Sequence, residues 1–337
     1  MNIKILATLG PSSFNQDTVV KMTKMGVGLF RINLSHTVLD DLEALIKKIQ
    51  LWTNVPLCLD SEGAQIRNQT MINESVLFNK GDNIRIHHEP VTGDSKNISF
   101  APISVSQQFQ VGDRIKVDFN ATCLKIEKIE NNHLIAVVES AGHVGSNKAA
   151  NIDREIKLDS VTPKDREAFK IGLKFGVRNF SLSFTNSAED VRTIRKIIGN
   201  ESNLIAKIES ARGVLNLGEI VSIADQILID RGDLSREISI EKIPFLQRRI
   251  ISYARSKGTP VFVATNLLES MVKSHTPNRA EANDVVSTLL MGANGLVLAA
   301  ETAIGAYPVQ AVEMINAFIT QCNRLTTESS ISDILND

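Results

Sequence analysis

The chain has 337 residues, 37 Lys and Arg against 38 Asp and Glu (formal net charge −1), and 43% hydrophobic residues. That length fits two ordinary domains or one large one, with enough core to dispense with disulfide or metal staples. Near-zero charge argues against a general nucleic-acid binder, and aromatics at 5% argue against a base-stacking surface.

The N-terminal apolar run Ile5-Leu6-Ala7 is too short for a signal-peptide core. No stretch approaches the roughly 18 apolar residues of a membrane span, so no membrane partner is expected. Strand candidates then fall at Ile3–Leu6, Gly28–Leu34 and Val55–Leu59, with helical patterns from about Asn15 to Met25 and around Leu39–Leu51. Cys58, Cys123 and Cys322 are odd in number and widely spaced. They form neither a disulfide framework nor a metal knuckle, and they read as packing residues of a cytoplasmic protein.

From about Gln65 to Lys157 the pattern changes to period-2 segments punctuated by turns, as in NKGDNIRIHH, NISFAPI, VGDRIKVDF and ATCLKIEKIENNHLIAVVES. This predicts a β meander or small barrel. Strand–helix alternation resumes after Val161-Thr162-Pro163, where Thr162 is a candidate N-cap with Pro163 at the first helical position. Strands are expected at Arg178–Leu182, Leu204–Lys207, Gln226–Ile229, Pro260–Ala264 and Gly295–Leu298. Helices are expected at Ala188–Ile198, Ala211–Val221, Glu241–Ser256, Arg279–Met291 and Pro308–Asn323. Three strand–helix units before the β-rich stretch and five after it make eight, the number that closes a parallel barrel. The fold class is therefore α/β, a (β/α)8 TIM barrel with a small all-β domain inserted after the third strand. The barrel takes residues 1–64 and 158–337, the insertion 65–157. A doubly wound open sheet shares the alternation. The barrel is favoured because polar residues recur where strands end, and a barrel converges those ends on one face.

That face carries the candidate chemistry. Glu209 lies two residues beyond Lys207, so the two side chains point the same way, and Asp233 follows the next strand. Two carboxylates from neighbouring strand ends suit Mg2+. The competing reading is a surface Lys207–Glu209 ion pair. The run Asp230-Arg231-Gly232-Asp233-Leu234-Ser235 suggests backbone N–H groups free for an anion. Lys207 supplies a compact positive charge for a transferring phosphoryl group or a developing enolate, and Arg31 a bidentate fork. Thr265 ends the strand pattern PVFVAT, either as a hydroxyl for the site or as an N-cap of the next turn. Asn33, Ser35, Asp60 and Ser61 are oxygen donors with one formal charge, suited to a monovalent cation or to plain turn hydrogen bonding.

At these residues the chain resembles the pyruvate kinase family. The matching runs are KILATLGPSS, LFRINLSH, LDSEGAQIR, LIAKIES, DRGDLSREI, VFVATNLLESM, PNRAEANDV and ETAIGAYP, in the family's order between about Asn2 and Asn323. The resemblance implies that the barrel carries the β-rich insertion as a lid. It gives Lys207, Arg31 and Thr265 catalytic roles: Lys207 on the phosphoryl group and enolate, Arg31 on phosphate, Thr265 beside the enolate carbon. It makes Glu209 and Asp233 the Mg2+ ligands, and the Arg231–Asp233 backbone, with Ser183, the substrate-binding set. Asn33, Ser35, Asp60 and Ser61 resemble K+ ligands, and Thr8, Pro11, His36, Arg67 and Lys148 parts of a nucleotide pocket. The implied partners are phosphoenolpyruvate or pyruvate and ADP or ATP, with self-association through the barrel.

The departures are specific. The family's LDTKGPEIR is here LDSEGAQIR, so Glu62 and Gln65 stand for a lysine and an acid, and the latter sets K+ use in question. SFVR has become Ser183-Phe184-Thr185-Asn186, ATQ has become Ala264-Thr265-Asn266, and Ile304 stands for a lysine that would meet the nucleotide. The family usually continues into a C-terminal α/β domain. Here one more helix and the polar tail TTESSISDILND follow, so no effector site of that kind is expected. Three functions stay open: phosphoryl transfer from phosphoenolpyruvate to ADP, a specialised paralogue with another acceptor or donor, and a non-catalytic ligand-binding regulator.

Overall fold

The computed structural model describes residues 3–118, 121–326 and 328–335; Met1, Asn2, Phe119 of the VGDRIKVDF run, Asn120, and Thr327, Asn336 and Asp337 of the polar tail lie outside the described residues. The chain divides into two compact units, one of residues 1–63 with 160–337 and one of residues 64–159. Strands β1 (Lys4–Leu9), β2 (Val27–Asn33) and β3 (Leu57–Asp60) come first. Then follow β4 (Ile66–Asn68), β5 (Ser75–Phe78), β6 (Asn83–His87), β7 (Asn97–Ala101), β8 (Arg114–Val117), β9 (Thr122–Ile129), β10 (His133–Ser140), β11 (Gly142–Gly145) and β12 (Ala149–Ile152). The last five are β13 (Asn179–Leu182), β14 (Asn203–Ile208), β15 (Gln226–Asp230), β16 (Val261–Ala264) and β17 (Gly295–Leu298).

In the first unit eight strands close a parallel barrel in the order β1-β17-β16-β15-β14-β13-β3-β2. The strands are covered on both faces, so they read as nearly continuous apolar runs. Period-2 geometry sorts them. Leu6, Leu29, Cys58, Ile205, Leu228, Phe262 and Val297 fill the interior as one cluster. Their neighbours Ile5, Phe30, Leu59, Leu204, Ile227, Val263 and Leu296 belong to a second cluster shared with the surrounding helices. Two positions beyond the interior layer, the same inward face carries Thr8, Arg31, Asp60, Lys207 and Asp230. The apolar plug thus ends in a polar ring at the C-terminal strand ends. The strands also run further than the apolar runs suggest: β1 extends to Leu9 and β3 to Asp60. Ladder hydrogen bonds continue past the last apolar residue because the polar side chains find partners inside the ring.

Helices α1 (Gln16–Lys24), α2 (Leu39–Trp52), α3 (Pro163–Lys174), α4 (Ala188–Ile198), α5 (Ala211–Leu215), α6 (Leu217–Val221), α7 (Arg231–Glu237), α8 (Ile243–Ser256), α9 (Arg279–Leu290), α10 (Ala300–Ala303) and α11 (Pro308–Arg324) follow the strands. Thr162 caps α3 in a reciprocal box with Asp165, with Pro163 in the first turn. The single helix expected over Ala211–Val221 is two, broken at Asn216 (φ −94°, ψ 13°), whose side-chain amide donates to the Asn186 carbonyl at 2.7 Å. The helix expected from Glu241 opens as a 3-10 turn, Ile240–Lys242, and becomes α-helical at Ile243, which leaves Pro244 in the first turn where its missing N–H costs nothing.

The second unit closes seven strands in the order β10-β6-β7-β4-β12-β8-β9, with β5 and β11 as a separate antiparallel pair. Its core holds Phe78, Ile84, Ile86, Phe100, Ile115, Leu124, Ile126 and Leu134 among others. It is no simple meander, because β6 and β7 run parallel, Ile86 beside Ile98. No helix among the described residues is long and apolar enough to cross a membrane.

Candidate active site

Lys207 is the hub of the polar ring. It is 5% exposed, and its Nζ lies 2.8 Å from Glu209 Oε1, 3.3 Å from Asp60 Oδ2 and 3.0 Å from Ser183 Oγ. The Lys207–Glu209 pair of the surface reading exists, but inside the barrel mouth, with Glu209 1% exposed. Burial alone would lower the lysine pKa. The Asp60, Glu209 and Asp230 carboxylates outweigh it and hold the ammonium charged well above its ordinary range.

Asp60 is saturated from three strands. Its Oδ2 accepts from Arg31 Nη1 at 3.1 Å as well as from Lys207, and its Oδ1 accepts from Ser181 Oγ at 2.6 Å. Arg31 Nε donates to Thr8 Oγ1 at 2.9 Å, and that hydroxyl donates to the Leu298 carbonyl at 2.9 Å. Ser183 closes the ring, donating its hydroxyl to Ser61 O at 2.7 Å while its N–H reaches Ser61 Oγ at 2.9 Å. Gly63 is required here. Its φ is +72°, and a Cβ would stand 2.6 Å from the Ser183 carbonyl oxygen.

Beside Lys207, single carboxylate oxygens of Glu209, Asp230 and Asp233 lie within 4.8 Å of one another. Glu209 Oε2 accepts the Phe184 N–H at 2.6 Å. Its buried Oε1 faces the Lys207 ammonium at 2.8 Å. Burial pushes the Glu209 carboxyl up to about 8, with Asp233 and Asp230 adding to the rise against the pull of Lys207. Asp230 goes the other way. Its burial is outweighed by Lys207 and by the Thr265 hydroxyl, which donates to Oδ1 at 2.6 Å, and its pKa falls. Asp233 pairs with Arg236 at 3.0 Å. Four carboxylates (Asp60, Glu209, Asp230, Asp233) thus meet three cations (Arg31, Lys207, Arg236). Three converging hard oxygen ligands suit a divalent cation of the Mg2+ or Mn2+ class.

The chain matches the family model "Pyruvate kinase, barrel domain" over residues 1–312. The pyruvate kinase of Thermococcus litoralis is 34% identical over 321 residues, 93% of this chain and 68% of that protein. The pyruvate kinase of Clostridium acetobutylicum is 33% identical, spanning 92% of this chain and 68% of the relative, and that of Thermotoga maritima 31%, spanning 98% and 74%. This chain belongs to the pyruvate kinase family. It is a phosphotransferase by that membership, in a family that is generally metal-dependent.

The Gly232 and Asp233 N–H groups are turned onto Asp230 Oδ1, at 3.1 and 3.5 Å, as the cap of α7. Thr265 is no N-cap. It holds a left-handed backbone (φ +75°) and gives its hydroxyl to Asp230. Asn33 Oδ1 accepts the Ser35 N–H at 3.0 Å, an ordinary turn bond, and Ser61 N–H donates to Ser181 O at 3.0 Å. In the barrel unit Thr8 is buried while Pro11 and His36 are exposed. In the β unit Arg67 Nη1 donates to Asn147 O at 2.9 Å and Lys148 pairs with Asp118 at 3.6 Å. Of the departures from the family pattern, Glu62 forms an ion pair with Lys164 at 2.7 Å, Asn186 accepts from Ser210, and Ile304 is 63% exposed.

Ser181 escaped the sequence reading, and Asp230 entered it only as the start of the anion-binding run, not as a carboxylate of the cluster. Asp230 closes β15 one residue past its last apolar position, and Ser181 sits mid-strand in NFSL. The usable signal was parity: both share the inward face with residues of the interior layer or ring.

Proposed function

We propose that the chain transfers the phosphoryl group of phosphoenolpyruvate to ADP, giving pyruvate and ATP, and that Mg2+ is required. The observation that carries this is the cluster of Glu209, Asp230 and Asp233 set against the buried Lys207 ammonium at the strand ends of a pyruvate kinase barrel. Glu209, Asp230 and Asp233 are the residues that would hold the divalent cation. When bound, it supplies positive charge to substrate oxygens in a site whose carboxylates otherwise outnumber its cations.

The chain's own groups do the rest by positioning and charge neutralisation, the usual means of phosphoryl transfer. The bridging P–O bond breaks as a new P–O bond to the acceptor forms, and negative charge moves onto the enolate oxygen. Lys207, fixed by Asp60 and Ser183, is a preorganised cation for that charge. Arg31, with Nε and Nη1 committed to Thr8 and Asp60, offers the remaining edge of its fork to phosphate. The substrate carboxylate competes with Asp230 for the Gly232 and Asp233 amides. Proton delivery to the enolate carbon is assigned to the Thr265 side. Thr8, Pro11 and His36 are the proposed nucleotide contacts of the barrel unit. Asn33, Ser35, Asp60 and Ser61 are the proposed monovalent-cation set.

The test is pyruvate formation from phosphoenolpyruvate with Mg2+, with and without K+, across several nucleoside diphosphates. Turnover with ADP is expected, and no turnover with any diphosphate would sink this reading. One observation favours the specialised-paralogue alternative: Ile304 and Asn266 both stand exposed at the strand-end loops where the family pattern carries other side chains. Phosphoenolpyruvate binding without diphosphate turnover, followed by turnover with another acceptor, would select it.

A further inference from the structure

Thr265 adopts a conformation that a β-branched residue does not choose. Its φ is +75°, and Asn266 follows at +56°. Such geometry persists only where the surroundings over-determine it, and it concentrates at functional sites. The surroundings are the consecutive residues Asp230, Arg231 and Gly232 at the end of β15. Asp230 Oδ1 accepts the Thr265 hydroxyl at 2.6 Å. Arg231 grips the Thr265 carbonyl oxygen with two donors, Nη2 at 2.6 Å and Nε at 3.1 Å. Gly232 leaves room for the methyl, since a Cβ there would stand 2.7 Å from Thr265 Cγ2. Each of the three residues holds one handle of the threonine.

The Arg231 guanidinium is itself fixed from behind. Nη1 donates to Asp284 Oδ2 at 2.6 Å and to Gln247 Oε1 at 3.3 Å, and Gln247 is in turn held by Thr288 Oγ1 at 2.9 Å. The side chain is 13% exposed. Its Nε, Nη1 and Nη2 thus all have protein partners. The Arg231 side chain is spent on Thr265, α8 and α9, not on substrate.

We infer that Arg231 is a positioning residue: Asp284 and Gln247 aim its guanidinium at the Thr265 carbonyl, and this keeps the Thr265 hydroxyl on Asp230 at the edge of the carboxylate cluster. The inference rests on the phosphotransfer reading of the site and names a residue that acts through another. Because Arg231 and Thr265 act as one unit, removing either should remove the same contribution, and removing both should add little.

The experiment compares Arg231→Met, Thr265→Val and the double variant in the full chain. Each single variant is expected to lose about 10²-fold in kcat, the scale of a misplacement near 1 Å, with KM for phosphoenolpyruvate within about threefold of wild type. The double variant is expected within about twofold of the weaker single. Asp284→Asn, which leaves Arg231 in place but loosens its aim, should lose kcat in the same direction and to a smaller extent. Losses that multiply in the double variant, or an Arg231→Met defect carried by KM, would overturn the inference. Should wild type itself show no turnover, the phosphotransfer reading fails on its own. The inference is then read from Mn2+ titrations followed by electron paramagnetic resonance. Arg231→Met and Thr265→Val should weaken Mn2+ by the same factor with no further loss in the double; no weakening, or multiplied weakening, overturns it.

Discussion

Replacing Lys207 by Met keeps the length of the side chain and deletes its charge. The carboxylates it faces are not equally exposed to that loss. Asp60 keeps Arg31 at 3.1 Å and Ser181 at 2.6 Å. Glu209 keeps only the Phe184 N–H at 2.6 Å, and it is 1% exposed. Removing one partner of a buried ion pair costs about 3–5 kcal/mol, and with Asp60 still served the expected loss for Lys207→Met is about 3 kcal/mol where Glu209 is ionised in both proteins, and less near pH 8. The pH dependence has a definite sign. Without the ammonium, the folded-state carboxyl pKa of Glu209 rises further, so the folded protein binds a proton that the unfolded chain does not. The deficit therefore shrinks as the pH falls below that pKa and is full above it. Urea unfolding of wild type and variant at pH 8.5 and pH 5.5 measures both numbers. Pyruvate formation at saturating phosphoenolpyruvate should fall in parallel by about 10²–10³-fold, the scale of losing one preorganised charge-stabilising donor. A variant as stable as wild type at pH 8.5, or one whose deficit grows on acidification, would refute the view of Lys207 as the charge hub of the ring.

Three further outcomes rest on the carboxylate cluster and the ring. The Glu209 carboxyl, near 4.5 in the unfolded chain and raised to about 8 in the fold, makes metal-free stability fall as pH rises between those values, and level off above. Mg2+ or Mn2+ should oppose that fall, and Glu209→Gln or Asp230→Asn should weaken Mn2+ by at least tenfold, measured by thermal unfolding with and without cation and by Mn2+ titration. Gly63→Ala places a Cβ 2.6 Å from the Ser183 carbonyl at a φ of +72°, and should lose roughly 1–3 kcal/mol in urea unfolding. A neutral Gly63→Ala would mean that the Ser61–Ser183 closure of the ring yields to the added methyl.

The amino-acid sequence alone determined the strand–helix count, the insertion after the third strand and most of the ring. Those properties are local or periodic: apolar runs, turn residues, and side chains two positions apart on one face. Lys207 and Glu209 were legible because they continue the parity of the LIAKIE run. The family motifs fixed the same residues independently. Tertiary structure decided what each side chain faces. Parity says that Asp60 points inward, but not that it meets Arg31, Ser181 and Lys207 from three other strands. The run Asp230-Arg231-Gly232 reads as an anion-binding turn, yet its carboxylate takes the two amides and the Thr265 hydroxyl, and its guanidinium takes the Thr265 carbonyl. Asp60 lies 29 to 147 residues from its three partners along the chain, and Thr265 lies 35 residues from Asp230. Only closing the barrel brings them within hydrogen-bond distance, and only then does burial separate the carboxyl of Glu209, pushed up, from that of Asp230, pulled down.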